Sequence, residues 1–340
     1  MEILISLIKI VVVLFVMITS VAYIVLLERK VAAAIQNRIG PNRVGWKGLL
    51  QPLADVLKLL TKEDIVPRQA NRFIHDLAPM ISIGVALTMF AVVPFGDHIT
   101  LFGHDIKLQI ASINIGILYI LALTSLGVYG VTLSGWSSNS KYSLLGGLRS
   151  SAQLISYELS MGVSIIGVIM IAGSLQLDLI VQAQAGWMWN IFLQPIGFIT
   201  FVISAFAETN RLPFDLPEAE PELVGGYHTE YSGMKFGLFF LAEYANMLTA
   251  SAIITTLYLG GWQVPFVHDL ELSDFWVSVV QVLGFCAKVV LLILFFIIIR
   301  WTIPRFRYDQ LMNLGWKVML PLAIANLLGT GLVMLLMNVR

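Results

Sequence analysis

The sequence predicts an all-α polytopic membrane protein, with eight transmembrane helices and a cytoplasmic-side interfacial amphipathic helix. Three observations carry that expectation. The 340 residues are 58% hydrophobic and only 12% charged, with a mean hydropathy of +0.84, a composition suited to lipid rather than water. Apolar runs near the ~20 residues that cross a bilayer recur along the whole length. The cations between those runs fall almost entirely on alternate loops.

The runs lie at 3–27, 79–95, 113–133, 155–173, 188–207, 237–259, 276–299 and 318–337. The first is too long, and lacks the basic start, for a cleavable signal. The loop after it holds Arg29, Lys30, Arg38, Arg43, Lys47, Lys58, Lys62, Arg68 and Arg72. The loops after the third, fifth and seventh runs hold Lys141 and Arg149, Arg211 and Lys235, then Arg300, Arg305, Arg307 and Lys317. The opposite loops hold Lys107 alone. Positive charge marks the inner side, so the odd loops are expected in the cytoplasm and both termini outside. Residues 1–340 then form a single membrane domain. Its two large cytoplasmic features are the loop 28–78 and an acidic loop 208–236.

Charge balance is silent about partners, since lysine plus arginine equals aspartate plus glutamate at 21 each, and nothing points to nucleic acid. The single cysteine, Cys286, excludes an internal disulfide and an iron–sulfur cluster or zinc site built by cysteines of this chain alone. The five histidines are scattered without ligand spacing, so no metal site is expected. No loop carries a glycine-rich strand-to-helix signature for a nucleotide.

Three places concentrate chemistry. The first is WKGLLQPLADVLKLLTKED, where Leu49, Leu50, Leu53, Val56, Leu57 and Leu60 share one helical face. Gln51, Asp55, Lys58 and Lys62 make a narrow polar stripe, which predicts an amphipathic helix over about 47–61. It serves either as a lipid anchor or as the wall of an entrance for a lipid-soluble molecule. Glu28, Arg29, Gln36 and Arg38 flank the nearby span end.

The second is AFAETNRLPFDLPEAEPELVGGYHTEY, with Glu208, Asp215, Glu218, Glu220, Glu222 and Glu230 against Arg211. Its prolines at 213, 217 and 221 forbid a continuous helix. Irregular backbone at membrane depth survives only when buried in protein or lining a wet cavity. The stretch reads either as a solvated acidic loop docking on a basic partner or as a group of proton-binding carboxylates.

The third is a set of ionisable residues inside spans: Glu158, Glu208, Glu243 and Lys288. A charge at membrane depth costs at least ~2.5 kcal/mol on insertion scales and so marks function by default. For the acids the favoured reading is a proton path on the cytoplasmic leaflet. For Lys288 an equal reading is a static pair with a carboxylate of a neighbouring helix.

Four stretches, QNRIGPNRVGWKGLLQPLADVLKLLTKED, GWSSNSKYSLLGGLRSSAQLISYELSMG, ETNRLPFDLPEAEPELVGGYHTEYSGMKFGLFFLAEYANM and RFRYDQLMNLGWKVMLP, closely resemble the H-subunit family of respiratory complex I. That complex is the proton-pumping NADH–quinone oxidoreductase, and the mitochondrial counterpart of the family is NADH dehydrogenase subunit 1. The resemblance implies an eight-helix membrane protein at the junction of the membrane and hydrophilic arms. Quinone enters between spans one and six and the amphipathic helix, framed by Arg29, Gln36, Arg38, Asp55, Phe240 and Arg300. Glu158, Glu208, Asp215, Glu218, Glu220, Glu222 and Glu243 form an acidic funnel toward the pumping subunits, with Arg211 as counter-charge and Lys288 adjoining. FMN and iron–sulfur clusters are expected in partner subunits of the hydrophilic arm, with small membrane subunits and lipids as further neighbours. Two rival readings are a membrane subunit of a related membrane-bound hydrogenase and a stand-alone proton-coupled carrier. Against the carrier, the two halves show no internal repeat.

Overall fold

The computed structural model describes residues 2–101, 104–186, 188–216, 223–265 and 273–337. In chain order the main elements begin with α1 (Glu2–Ile35), α2 (Gln51–Thr61) and α3 (Arg72–Met89). A two-stranded antiparallel hairpin follows, β1 (His98–Leu101) with β2 (His104–Lys107), pairing Ile99 with Ile106. Next come α4 (Gly116–Ser137), α5 (Lys141–Ala172), α6 (Leu177–Ala183), α7 (Asn190–Leu193) and α8 (Pro195–Glu208). The chain closes with α9 (Gly233–Tyr258), α10 (Asp274–Thr302), α11 (Tyr308–Asn313) and α12 (Leu320–Leu336). A π-helical segment, Leu314–Met319, joins the last two into one rod.

Among the described residues seven helices are long and apolar enough to cross a membrane, where the sequence predicted eight spans. The difference lies in the fifth apolar run. Gln194 precedes Pro195 and is pushed out of the helical region (φ −131°, ψ 55°). Pro195 then opens α8, where its missing N–H costs nothing. The fourteen residues of α8 reach ~21 Å, short of the ~30 Å hydrocarbon core.

Other boundaries move for similar reasons. Helix α3 starts at Arg72 rather than near residue 79, because the Asn71 side chain accepts a hydrogen bond from Ile74 N at 3.4 Å and caps the helix early. Helix α5 starts at Lys141 rather than near 155. Its first turns are rich in Ser143, Ser150, Ser151 and Gln153, which lower hydropathy yet are buried between helices, as small polar residues in membrane bundles are. In the predicted amphipathic segment, Trp46–Gly48 makes a separate 3-10 turn with Lys47 and Gly48 at positive φ, so α2 begins at Gln51. The loop between α1 and α3 accordingly spans 36–71.

Tyr157, Phe201, Ala205, Ala245, Met247 and Tyr258 form the middle of the main core, where α5, α8 and α9 meet. Two glycines permit close approaches that position the site. A Cβ at Gly146 would stand 2.7 Å from the Gly226 backbone, so α5 and the α8–α9 loop touch main chain to main chain. A Cβ at Gly237 would stand 2.9 Å from Leu59 Cδ1, so α2 lies directly on the start of α9. Leu53, Val56, Leu57 and Leu60 of α2 face outward and are exposed, the arrangement of a helix whose apolar stripe meets lipid. At the other end the hairpin is tied to α10: Ser278 Oγ donates to His98 O at 2.6 Å, and Asp97 N donates to Gln281 Oε1 at 3.2 Å.

Candidate functional site: a buried charge cluster

Four elements deliver charge to one place inside the bundle. Glu28 comes from α1, Arg211 from the loop after α8, Glu243 and Tyr244 from α9, and Arg300 from α10. Arg211 Nη1 donates to Glu28 Oε2 at 2.7 Å, and Arg211 Nε stands 2.7 Å from Glu243 Oε1. Its guanidinium lies 4.0 Å over the Tyr244 ring, a cation–π contact that adds attraction where water is absent. The second oxygen of Glu28 accepts from Arg300 Nη1. Arg211 is 2% exposed and Glu28 4%. Two acids and two guanidinium groups therefore balance within the cluster, as buried charge requires.

The loop that carries Arg211 holds its shape without a helix. Gln153, fully buried on α5, donates through Nε2 to Ala207 O at 2.9 Å and Phe214 O at 2.8 Å. Phe214 N donates to Arg211 O at 2.8 Å. One side-chain amide thus supplies the donors that irregular backbone at this depth needs. A few residues on, Asp215 accepts from Arg305 Nη2 at 3.1 Å. Burial lifts the Asp215 carboxyl up to about 7 against the pull of Arg305, and the Glu243 charge adds to the rise. Burial also holds His228 of the same loop down to about 4, so that imidazole is neutral at physiological pH.

Beside the cluster lies a cavity of about 90 Å³ lined by Glu208, Glu243, Asn246, Thr124 and mostly apolar neighbours such as Ile120 and Leu154. That space suits several waters, each needing roughly 10–15 Å³ by this measure. Among the described residues Glu208 Oε2, Asn246 Oδ1 and Arg211 Nη2 are buried without a hydrogen-bond partner, the condition in which a polar atom recruits water. Glu158 accepts from Ser125 Oγ, and from Thr124 Oγ1 at 3.5 Å, and lies within electrostatic reach of Glu208. It sits about 25 Å along α5 from the helix start, because α5 begins at Lys141 rather than near residue 155.

Of the remaining expected residues, Arg29 Nη1 and Asp55 Oδ2 pair at 2.6 Å, joining α1 to α2, and Gln51 Nε2 donates to Asp55 Oδ1 at 3.0 Å. Arg38 Nε donates to Gln36 Oε1 at 2.6 Å on the exposed chain that follows. Phe240 is half-exposed on α9, against Phe236 and His228 at centroid distances of 4.6 and 6.2 Å. Arg300, grouped with these residues by resemblance, instead joins the buried cluster through Glu28. Glu218, Glu220 and Glu222 lie outside the described residues.

Lys288 stands apart. Its Nζ donates to Leu259 O, Gly261 O and Gln263 O at 2.8, 3.0 and 2.7 Å and lies 4.4 Å from the Trp189 ring. It closes the far end of α9, about 24 Å along that helix from Glu243. The expected carboxylate partner is replaced by carbonyls.

In the sequence Glu28 stands out only as a span-end residue, yet it bridges two arginines. Its one signal was position, directly after the first apolar run and before Arg29; the structure buries it and leaves Arg29 exposed. Gln153 left a fainter mark, a lone amide among the serines of α5.

The NADH dehydrogenase family matches residues 8–331 of the chain. Over 323 residues the chain is 56% identical to NADH-quinone oxidoreductase subunit 8 of Rhodothermus marinus, covering 92% of each. Over 336 residues it is 53% identical to the first H subunit of the NADH-quinone oxidoreductase of Geobacter metallireducens, covering 99% of this chain and 98% of that one. The corresponding first H subunit of Cytophaga hutchinsonii is 52% identical, covering 91% of this chain and 90% of its own length. The chain belongs to the H-subunit family of NADH-quinone oxidoreductases. It is a membrane subunit of a larger redox enzyme, respiratory complex I, and the buried carboxylate network belongs to a membrane protein of that kind. Among the described residues no group of three or more His, Cys, Asp or Glu side chains is arranged to hold a metal.

Proposed function

We propose that this chain is the quinone-access and coupling subunit of a proton-pumping NADH:quinone oxidoreductase. The observation that carries the reading is the sharing of Arg211 between Glu28 and Glu243, next to a wettable cavity that also reaches Glu208. Quinone approaches from the bilayer through the slot bounded by α1, α2 and α9, where Arg29, Asp55, Gln36, Arg38 and Phe240 supply a polar frame with an aromatic edge. Electrons come from FMN and iron–sulfur centres in partner subunits of the hydrophilic arm.

Reduction of a quinone to a quinol takes up protons together with electrons, so charge near the slot changes at each turnover. Arg300 and Arg211 answer to that charge through Glu28, and Glu243 shares Arg211. A change at the slot end therefore alters how tightly Arg211 holds Glu243. Glu208 and Glu158 continue the line through the cavity, with Asp215, Glu218, Glu220 and Glu222 at the loop. Arg211 stays protonated throughout and acts as the fixed counter-charge. Lys288 takes a structural part.

In this reading α7 and α8 together make the short fifth of eight spans. The protein sits in the bacterial inner membrane, with the end that bears α2 and Arg211 in the cytoplasm and both termini outside. Purifying the tagged chain from native membranes in mild detergent tests the assignment. Flavin- and iron–sulfur-bearing partners oxidising NADH should come with it, and a photoreactive quinone should label α1, α2 or α9. A nickel-bearing partner, or proton-coupled transport by the chain alone in liposomes, would overturn the assignment.

A further inference from the structure

A second crevice lies on another side of α10, away from the α1–α2–α9 slot. Its free volume is about 370 Å³, and no polar atom is exposed along its wall. Phe198, Val202 and Phe206 of α8 line one side at intervals of one helical turn, and Phe295, Ile299 and Ile303 line the other in the same way. Phe214 and Phe306 close one end, their rings stacked at 5.5 Å. Phe295 and Ile303 are exposed, so the crevice opens outward along its length.

We propose that this crevice holds one acyl chain of an acidic phospholipid, with Arg307 and Lys317 meeting the headgroup. Four observations support the assignment. Water has no partner there, because an all-apolar cavity stays dry. The two lined stretches each cover nine residues, ~12 Å from first to last, along the axes of their helices, the direction in which lipid chains lie. About 370 Å³ over ~12 Å gives a mean cross-section of ~30 Å², far below that of a helix about 10–12 Å across. The closed end adjoins cations: Arg307 follows the lining residue Phe306, and Lys317 lies three residues beyond the lining residue Leu314. Both cations are exposed, and among the described residues Arg307 has a loose 3.6 Å pairing with the exposed Asp309. A quinone tail would fit the crevice equally well, but its headgroup carries no net charge to pair with two exposed cations.

Photo-crosslinking of the intact complex in liposomes tests the proposal, using phosphatidylglycerol with a diazirine in mid-chain. Labels should fall on 198–206 of α8 and on 295–303, the end of α10 and the residue after it. Arg307→Gln and Lys317→Gln should each lower labelling roughly fivefold, the effect of one surface cation on an anionic lipid. Val202→Trp, which fills the crevice, should abolish it. NADH oxidation that co-purifies with a tag on this chain reports that each variant complex has assembled. Equal labelling by a phosphatidylcholine analogue, stronger labelling by a quinone-tail diazirine, or crosslinking of a photoreactive residue at Ile199 to a partner polypeptide would each overturn the proposal.

Discussion

Arg211 and Glu243 meet at 2.7 Å inside the bundle, one on an irregular loop and the other on α9. The same guanidinium donates to Glu28 on α1. Two carboxylates thus compete for one permanent cation, and whichever gains a proton releases its share of Arg211 to the other. In the proposed reading, that competition couples the α1 side of the cluster to the cavity.

Glu28 is the residue on which the cluster's neutrality depends. Glu28→Gln leaves Arg211 and Arg300 facing one another with one fewer anion. Removing one partner of a buried pair costs about 3–5 kcal/mol. The expected outcome is poor assembly, read as a fall in the yield and thermal stability of the intact complex.

The Arg29–Asp55 pair behaves differently, because both residues are substantially exposed. Such a pair contributes about 0–1 kcal/mol to stability, so Arg29→Ala and Asp55→Ala should leave assembly intact. Turnover with quinone should fall more than electron transfer to an artificial acceptor upstream. Equal loss of both activities would show that the pair matters only for folding.

Asp215 titrates near neutrality. Its folded value of about 7 lies above the ordinary 3.8, so the folded chain keeps a proton that the unfolded chain has lost. The stability it contributes is full below the ordinary value and is lost as pH rises through about 7. Asp215→Asn should flatten the decline in thermal stability between about pH 4 and 7. It should also remove one protonated-carboxyl infrared band that fades between about pH 6 and 8.

Lys288 holds three carbonyls at the end of α9. Hydrogen bonds to a charged group contribute about 1.5–3 kcal/mol, so Lys288→Met should lower thermal stability by an amount of that order. The number of protons moved per quinone reduced, measured on complexes that do assemble, should not change. A lower ratio would place Lys288 in the proton path after all.

The membrane class and most span positions were legible because hydropathy over long windows survives local detail. The start of α5 was not, since Ser143, Ser150, Ser151 and Gln153 look polar in sequence but are buried between helices. The break at Gln194 was signalled by Pro195, though an apolar run conceals it. The acids were legible as a group. Arg211 was expected as their counter-charge, but its link through Glu28 to Arg300 was not, because these residues come from elements far apart in the chain that only packing brings together. The π-helical segment before α12, where Trp316 Nε1 donates to Ser156 Oγ at 3.0 Å, left no mark in the apolar pattern.

The most direct measurement is the ratio of protons moved to quinone reduced by complexes carrying Glu243→Gln in sealed vesicles. The substitution keeps the shape of the side chain and removes its charge and its proton site. With NADH oxidation by an artificial acceptor preserved, the account predicts a marked fall in that ratio. An undiminished ratio from fully assembled complexes would contradict it.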